Sequence, residues 1–331
     1  MFFQKKTLVL LLTILTTLLL AACGSNTNNT QSNSGGEATP APSAAPSASP
    51  AAERKLTDGL GNEVTVPANP QRIIASYLED YLVALGVKPV AQWKVSNGIQ
   101  DYLQDSLKDI PTIPYDLPFE DVTKFEPDLL IVGSSATVEG QKYGQYSKIA
   151  PTYVLGDSVV NDWRKALLKM GEVLDKGDEA QKVLDDYEKK AADAKSSIQA
   201  KLPGQSVAAI WLVKNKFFIV SDKQSSGSLL YGDLGFQSPA IVKEISAKGT
   251  GNWNSISLEK LAELDADHLI LINSDKGTGA KALEEPIWKS VKAVKNGNVY
   301  EYPRTSSWLY YGPIASSQMI DDVMKDIVNK Q

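Results

Sequence analysis

The chain has 331 residues, with 34 Lys plus Arg against 39 Asp plus Glu, and a single histidine and a single cysteine. A net charge of −5 with no basic stripe excludes a nucleic-acid binder held by phosphate contacts. One cysteine forbids an internal disulfide, and one histidine forbids a metal site built from several imidazoles.

Lys5 and Lys6 precede an apolar run from Leu8 to Ala22 that ends in small residues at Cys23. The run is too short to span a bilayer comfortably, so residues 1–22 read as a secretory signal peptide. Leu20-Ala21-Ala22-Cys23-Gly24 resembles a bacterial lipobox, which makes Cys23 the lipidated first residue of the mature chain, its acyl groups of the palmitate kind. Losing Lys5 and Lys6 with the leader leaves 32 basic and 39 acidic residues, net −7. From Ser25 to Ala52 the sequence is almost all Ser, Asn, Thr, Ala, Gly and Pro, with Glu37 its one charge. Residues 23–52 therefore form a lipidated, flexible tether that bridges roughly 30 Å. This suits the outer face of a cell membrane, with a Gram-positive surface favoured.

Residues 53–160 alternate short apolar runs with helical patterns, the signature of α/β units with largely parallel pairing. Lys55–Pro67 reads as a hairpin turned by Asp58-Gly59 and Gly61-Asn62. Arg72–Ala75 is a buried strand, Asp80–Leu85 a helix stopped by Gly86, and Pro89-Val90-Ala91 opens the next strand. Residues 161–202 are the longest helical stretch. Asp162-Trp163-Arg164 opens one helix, which Gly171 and Gly177 interrupt or end. Asp178 caps a second, Glu179–Lys201, over 30 Å long and stopped by Pro203-Gly204. A stiff strut between lobes is the preferred reading; a coiled-coil face is the rival. Residues 203–331 return to α/β alternation.

The chain also echoes itself. Phe119-Glu120-Asp121-Val122 leading to Leu129-Leu130-Ile131-Val132 is matched by Leu258-Glu259-Lys260-Leu261 leading to His268-Leu269-Ile270-Leu271. Each copy is a short amphipathic helix opening on an exposed glutamate, a tight turn, then an apolar strand. Two lobes on one plan follow.

Catalytic constellations are scarce. His268 begins a buried strand and reads as structural, which disfavours a Ser-His pair and haem ligation alike. Gly-x-Ser-x-Gly elbows, Walker loops and Cys-x-x-Cys pairs are absent. Aromatic residues instead fall at strand ends, where α/β loops line crevices. Trp93, Tyr115, Trp211, Trp253, Trp308, Tyr310 and Tyr311 are of this kind. Ser135, after the Leu129–Val132 strand, offers a hydroxyl to the same surface. Arg304 is its best cation, with Lys94 and Lys214 behind it.

At this point the sequence is similar to the ferric-siderophore substrate-binding lipoproteins of ABC importers, in the helical-backbone class that includes vitamin B12 and haem binders. The likeness covers nearly all of the mature chain. Its carriers are Val64–Ile73, Phe125-Glu126-Pro127-Asp128-Leu129-Leu130-Ile131, Leu229–Phe236, Pro286–Val294 and Gly312-Pro313-Ile314-Ala315. The resemblance implies two Rossmann-like α/β lobes joined by a single long helix, with a ligand groove between them. It implies a pre-formed Fe(III)–siderophore complex as cargo, no resident metal or cofactor, and a monomer that is not an enzyme. It also assigns Glu120 and Glu259 to arginine pockets on a permease dimer. Catecholate-binding relatives carry cations on the strand after the long helix, where this chain has Trp211 and Val213. A hydroxamate or mixed citrate–hydroxamate ligand is therefore expected over a catecholate. The competing readings are a haem or cobalamin receptor of the same fold and a surface hydrolase acting on cell-wall material.

Overall fold

The computed structural model describes residues 52–96, 98–249 and 251–330. The leader, Cys23 and almost all of the tether lie outside the described residues. The described chain opens on an antiparallel hairpin of β1 (Arg54–Thr57) and β2 (Glu63–Val66). The Asp58 carboxylate organises its turn by accepting the N–H groups of Leu60 and Asn62 at 2.9 and 2.8 Å.

The first lobe holds β3 (Ile73–Ile74), β4 (Gln92–Lys94), β5 (Thr112–Pro114), β6 (Leu129–Val132) and β7 (Thr152–Val154). β3, β6 and β7 form a parallel sheet with β6 central, and β4 pairs in parallel with β5. The second lobe holds β8 (Val207–Val213), β9 (Lys216–Val220), β10 (Trp253–Ile256), β11 (His268–Asn273) and β12 (Val299–Pro303), in the order β10-β9-β8-β11-β12. Here β8, β11 and β12 are parallel, but β9 and β10 run antiparallel, so this sheet is mixed rather than wholly parallel. β8 and β9 are joined by the two-residue turn Lys214-Asn215, with φ of 51° and 55°. Two successive left-handed residues match a type I′ hairpin. Glycine normally advertises such a turn, and none stands here.

Two helices separate the lobes in sequence. Asp162 caps the first, Trp163–Leu174, by accepting the N–H of Arg164 at 3.1 Å, as expected. Gly171 lies inside this helix and does not end it. A Cβ there would come within 2.5 Å of the Ala180 Cβ, so glycine permits the two helices to cross closely. The chain turns at Asp175 (φ 58°) into the second helix, Gly177–Lys201. Asp178 is not its cap; Lys176 holds that position, and Asp178 and Glu179 occupy the first turn, where the helix dipole favours negative charge. The buried face is Ala180, Tyr187, Ala191, Ala194 and Ile198. At 1.5 Å per residue the helix is roughly 37 Å long.

Alternation along the strands explains how three cores arise. Leu129 and Ile131 of β6, Val207 and Ala209 of β8, and Ile270 and Ile272 of β11 all join one large core with Met170, Tyr187, Ile198 and Met319 of the helices. Their neighbours point the other way, because successive side chains of a strand leave opposite faces. Leu130 and Val132 enter a core behind the first sheet, and Ile210, Leu212, Leu269 and Leu271 one behind the second. Each lobe thus shares its inner core with the helical layer between them. The lobes are also stitched directly. Asp80, on the Glu79–Ala84 helix of the first lobe, accepts the N–H groups of Ile314 and Ala315 at 2.9 Å each, at the start of the Pro313–Val323 helix.

Candidate functional site

A cavity of about 670 Å³ opens between the lobes at the carboxyl ends of the strands, where α/β crevices bind ligands. The first lobe contributes Tyr77, Trp93, Val95 and Gly98. The second contributes Trp211 and Val213 from alternate positions of β8, Trp253 from the start of β10, and Arg304, Leu309 and Tyr310 after β12. Tyr77 stands 5.0 Å from Trp93 and 6.3 Å from Tyr310, centroid to centroid, and Trp211 meets Trp253 edge-on at 6.2 Å. The Trp211 Nε1–H donates to Ser274 Oγ at 2.8 Å, and the Tyr310 hydroxyl to the Ile99 carbonyl at 3.1 Å, so both rings are fixed in place.

Three local devices hold these walls. Tyr77 has φ of 65°, a conformation a bulky residue adopts only when its surroundings impose it. Two residues on, Glu79 is fully buried and accepts the Trp93 N–H at 2.6 Å, fixing that backbone. Burial pushes the Glu79 carboxyl up to about 8, and its Oε2 has no hydrogen-bond partner among the described residues. Across the cleft, buried Asp275 accepts the N–H of Lys214 at 2.8 Å on Oδ1 and that of Asn215 at 2.6 Å on Oδ2. This grips the left-handed turn and sets Lys214 at the rim.

The charge in the cleft is modest. Arg304 is partly exposed and lies 3.7 Å from Asp101; Lys214 adds a second cation, and Asp275 is buried against backbone amides. A Cβ on Gly98 would fall 2.3 Å from the Arg304 Nη1, so glycine there lets the guanidinium lie against the backbone. Among the described residues no group of three or more His, Cys, Asp or Glu could hold a metal ion.

Of the residues singled out from the sequence, Trp93, Trp211, Trp253, Arg304, Tyr310 and Lys214 line this cavity together. Tyr115, the most exposed large apolar side chain among the described residues, and Tyr311 line a neighbouring cavity of about 420 Å³ that shares Tyr77 and Trp93. Ser135 lines neither cavity; its N–H donates to Asp157 Oδ1 at 3.2 Å, and it is Ser134 that borders the smaller one. Lys94 is exposed and lines neither. Trp308 is a correction. It is fully buried, 5.4 Å from the Tyr302 ring, and donates its Nε1–H to Asp322 at 2.9 Å, so it is a core pillar. Its indole faces the Pro313–Val323 helix because it falls in a short helical turn, Ser307–Leu309, instead of a loop. Tyr77 and Asp275 were missed: each follows a strand by a few residues, yet neither a positive φ nor a carboxylate gripping a turn leaves a pattern in the sequence.

His268 is fully buried, with Gln205 Oε1 on its Nε2 and the Tyr300 hydroxyl 3.1 Å from its Nδ1. Burial lowers its pKa. It begins β11, whereas the cleft borders Ser274 just past the end of that strand, roughly 20 Å away. It is a structural histidine. Glu120 and Glu259 are both exposed in the first turns of their helices, Phe119–Lys124 and Leu258–Leu261, and neither is ion-paired among the described residues. Its own backbone N–H, and then the Ser257 hydroxyl, hold the Glu259 carboxyl below its usual value.

Two lobes around a shared helical layer, with an aromatic cleft between them, have the architecture of a solute-binding protein. The match to a family model settles the class: residues 75–305 fit the family described as periplasmic binding protein, and the chain belongs to it. Members bind substrates rather than transform them, which removes the hydrolase reading. A probable siderophore-binding lipoprotein of Bacillus subtilis, YfiY, is 29% identical over 287 residues, 82% of this chain and 86% of that protein. The iron(3+)-hydroxamate-binding protein FhuD of the same organism is 30% identical, over 72% of this chain and 75% of its own length. Staphylococcus aureus SirA, solved in complex with staphyloferrin B, superposes with a TM-score of 0.68 at 26% identity, covering 83% of this chain and 98% of that one.

Proposed function

We propose that this protein captures a ferric siderophore of hydroxamate or mixed citrate–hydroxamate type and delivers it to the permease dimer of an ABC importer for iron uptake. The observation that carries the reading is the cleft, whose aromatic walls bear two cations, Arg304 and Lys214, and no cluster of metal ligands among the described residues. Such a site complements an iron already wrapped in its own oxygens, matching its shape and a low net charge, zero at a tris-hydroxamate centre and slightly negative where citrate takes part. A catecholate complex, with its high negative charge, would call for more cations than these two. The relatives that bind iron(3+) hydroxamates and siderophores support the same ligand class.

In this reading Trp93, Trp211, Trp253, Arg304 and Tyr310 contact the chelate, Cys23 carries the lipid anchor at the outer face of the cell membrane, and the chain works as a monomer. Glu120 and Glu259 dock to arginines of the permease. Two exposed carboxylates at matching places on the two lobes set orientation, and exposed ion pairs of about 1 kcal/mol or less let the partners separate. A thermal-shift panel of ferric hydroxamates, ferric catecholates, ferric citrate, haem and cobalamin tests the ligand. The true ligand raises Tm by several degrees, because it binds only the folded state. A response to haem or cobalamin alone would overturn the reading. Replacing Glu120 and Glu259 by Ala is expected to abolish uptake with ligand affinity retained; lost affinity would mean that the carboxylates serve the cleft instead.

A further inference from the structure

Asp80 belongs to the first lobe, yet its side chain holds the second lobe's wall of the cleft. Oδ1 accepts the N–H of Ile314, and Oδ2 accepts the N–H of Ala315 and the Tyr102 hydroxyl, each at 2.9 Å. The two amides open the Pro313–Val323 helix, whose dipole favours an anion there. The Tyr102 ring lies 5.0 Å, centroid to centroid, from the ring of Tyr310, which lines the cleft. Between Tyr310 and the helix, Gly312 (φ 145°) packs onto the carboxylate, and a Cβ there would fall 2.6 Å from the Asp80 Cγ.

The carboxylate is almost wholly buried, and these three partners are neutral. The titratable groups around it are Glu79 and Tyr81 on its own helix, Tyr77 just ahead of that helix, Tyr102, and Tyr310 and Tyr311 from the second lobe, with Asp162 beyond Tyr81. None of these is a cation, and burial raises the Asp80 carboxyl to about 6 in spite of its three hydrogen bonds. A proton on Oδ2 leaves Tyr102 able to turn its hydroxyl and accept. The Ala315 N–H then meets a hydroxyl oxygen, a poorer acceptor, and the helix start loses its counter-charge.

Resting on the ferric-chelate reading of the cleft, we propose that Asp80 is a positioning residue for the cargo. From the first lobe it holds the start of the Pro313–Val323 helix, and with it the Tyr310 wall, in register with Tyr77 and Trp93. The cleft binds tightly only while this carboxylate is ionised.

The test uses the purified protein in a Glu79→Gln background, which silences the neighbouring acid. The probe is the ferric complex of a cyclic trihydroxamate, which has no titrating group of its own between pH 5 and 7.5. Tryptophan-fluorescence titration gives the affinity, and calorimetry in two buffers of different ionisation heat gives the protons exchanged on binding. One charge-assisted hydrogen bond secured by loading holds the loaded carboxyl about one pKa unit below the free one. Affinity is then expected to fall about fivefold from pH 7.5 to 5, with about half a proton released on binding at pH 5.5. Asp80→Asn, which stands in for the protonated acid, is expected to bind about tenfold more weakly at pH 7.5, with a flat pH profile and no proton release. Tyr102→Phe removes one of the hydrogen bonds that favour the anion, and is expected to move the midpoint of the profile to higher pH. A merely structural Asp80 would change affinity without moving protons. Binding that is independent of pH and releases no proton, or a midpoint unmoved by Tyr102→Phe, would overturn the proposal with the chelate reading intact. Failure of ferric hydroxamates to bind at any pH would overturn both.

Discussion

Glu79→Gln is expected to stabilise the protein, and more so as the pH rises. The Glu79 carboxyl is fully buried, and burial lifts it from an ordinary 4.5 to about 8. Between those values the folded chain holds a proton that the unfolded chain has released. Stability therefore falls as pH rises through this window, by about 1.4 kcal/mol per unit. At pH 7 the wild type carries a penalty of roughly 3 kcal/mol; below about pH 4.5 it carries none. Gln retains the oxygen that accepts the Trp93 N–H at 2.6 Å and places a neutral amide where Oε2 has no partner. It escapes the penalty at little steric cost. Asp80, also raised by burial, to about 6, contributes equally to both proteins and cancels in the difference. Urea unfolding followed by tryptophan fluorescence at pH 4.5, 6, 7 and 8 reads the effect directly. The two proteins are expected to coincide at pH 4.5 and to diverge steadily above it. A constant offset, or a variant less stable at pH 8, would refute the claim that Glu79 is held neutral.

Other expectations separate walls from pillars. Trp308→Ala is expected to cost about 3–5 kcal/mol in denaturant unfolding, because it leaves a cavity and an unpartnered Asp322, whereas Trp211→Ala costs less stability and more affinity. Gly98→Ala drives a Cβ to 2.3 Å from the Arg304 guanidinium, so anionic chelates should lose about tenfold in affinity, measured by titration, while a thermal melt stays near wild type. A loss in the melt as large as that of Trp308→Ala would instead assign Gly98 to the fold. Ligand binding is expected to quench tryptophan fluorescence with little change in radius of gyration by solution scattering; compaction by several ångströms would contradict a stiff joint.

Much of this fold is readable from periodicity, since β6 and the Leu269–Ile272 centre of β11 are unbroken apolar runs, as strands buried on both faces tend to be. The echo of Glu120 with Glu259 was equally plain, as was the Asp162 cap. What escaped reading depends on tertiary geometry. Gly171 suggests a helix end from sequence, yet it is the point where a second helix passes closest. Asp178 offers good cap chemistry one turn boundary late, because Asp175 already turns the chain in the left-handed region. The cleft aromatics could be proposed only as a class. Trp308 and Trp253 stand in similar polar, loop-like contexts, and what distinguishes them is the carboxylate of Asp322, a partner fourteen residues along the chain.

The shared core bears on how selectivity arises. A binding protein whose lobes swing on flexible strands can sort ligands by how well they pull the lobes shut. Here Ile131 of one lobe and Ile272 of the other belong to a single packed cluster with the helices between them. Wide opening would expose that cluster, and it would break the two hydrogen bonds from Ile314 and Ala315 to Asp80. Close-packed interiors resist such deformation. The discriminating contacts must then exist before the ligand arrives, which accounts for the strain at Tyr77 and the grip of Asp275 on the Lys214-Asn215 turn. The first is a conformational cost and the second a pair of backbone hydrogen bonds, and both fix wall residues through the fold itself.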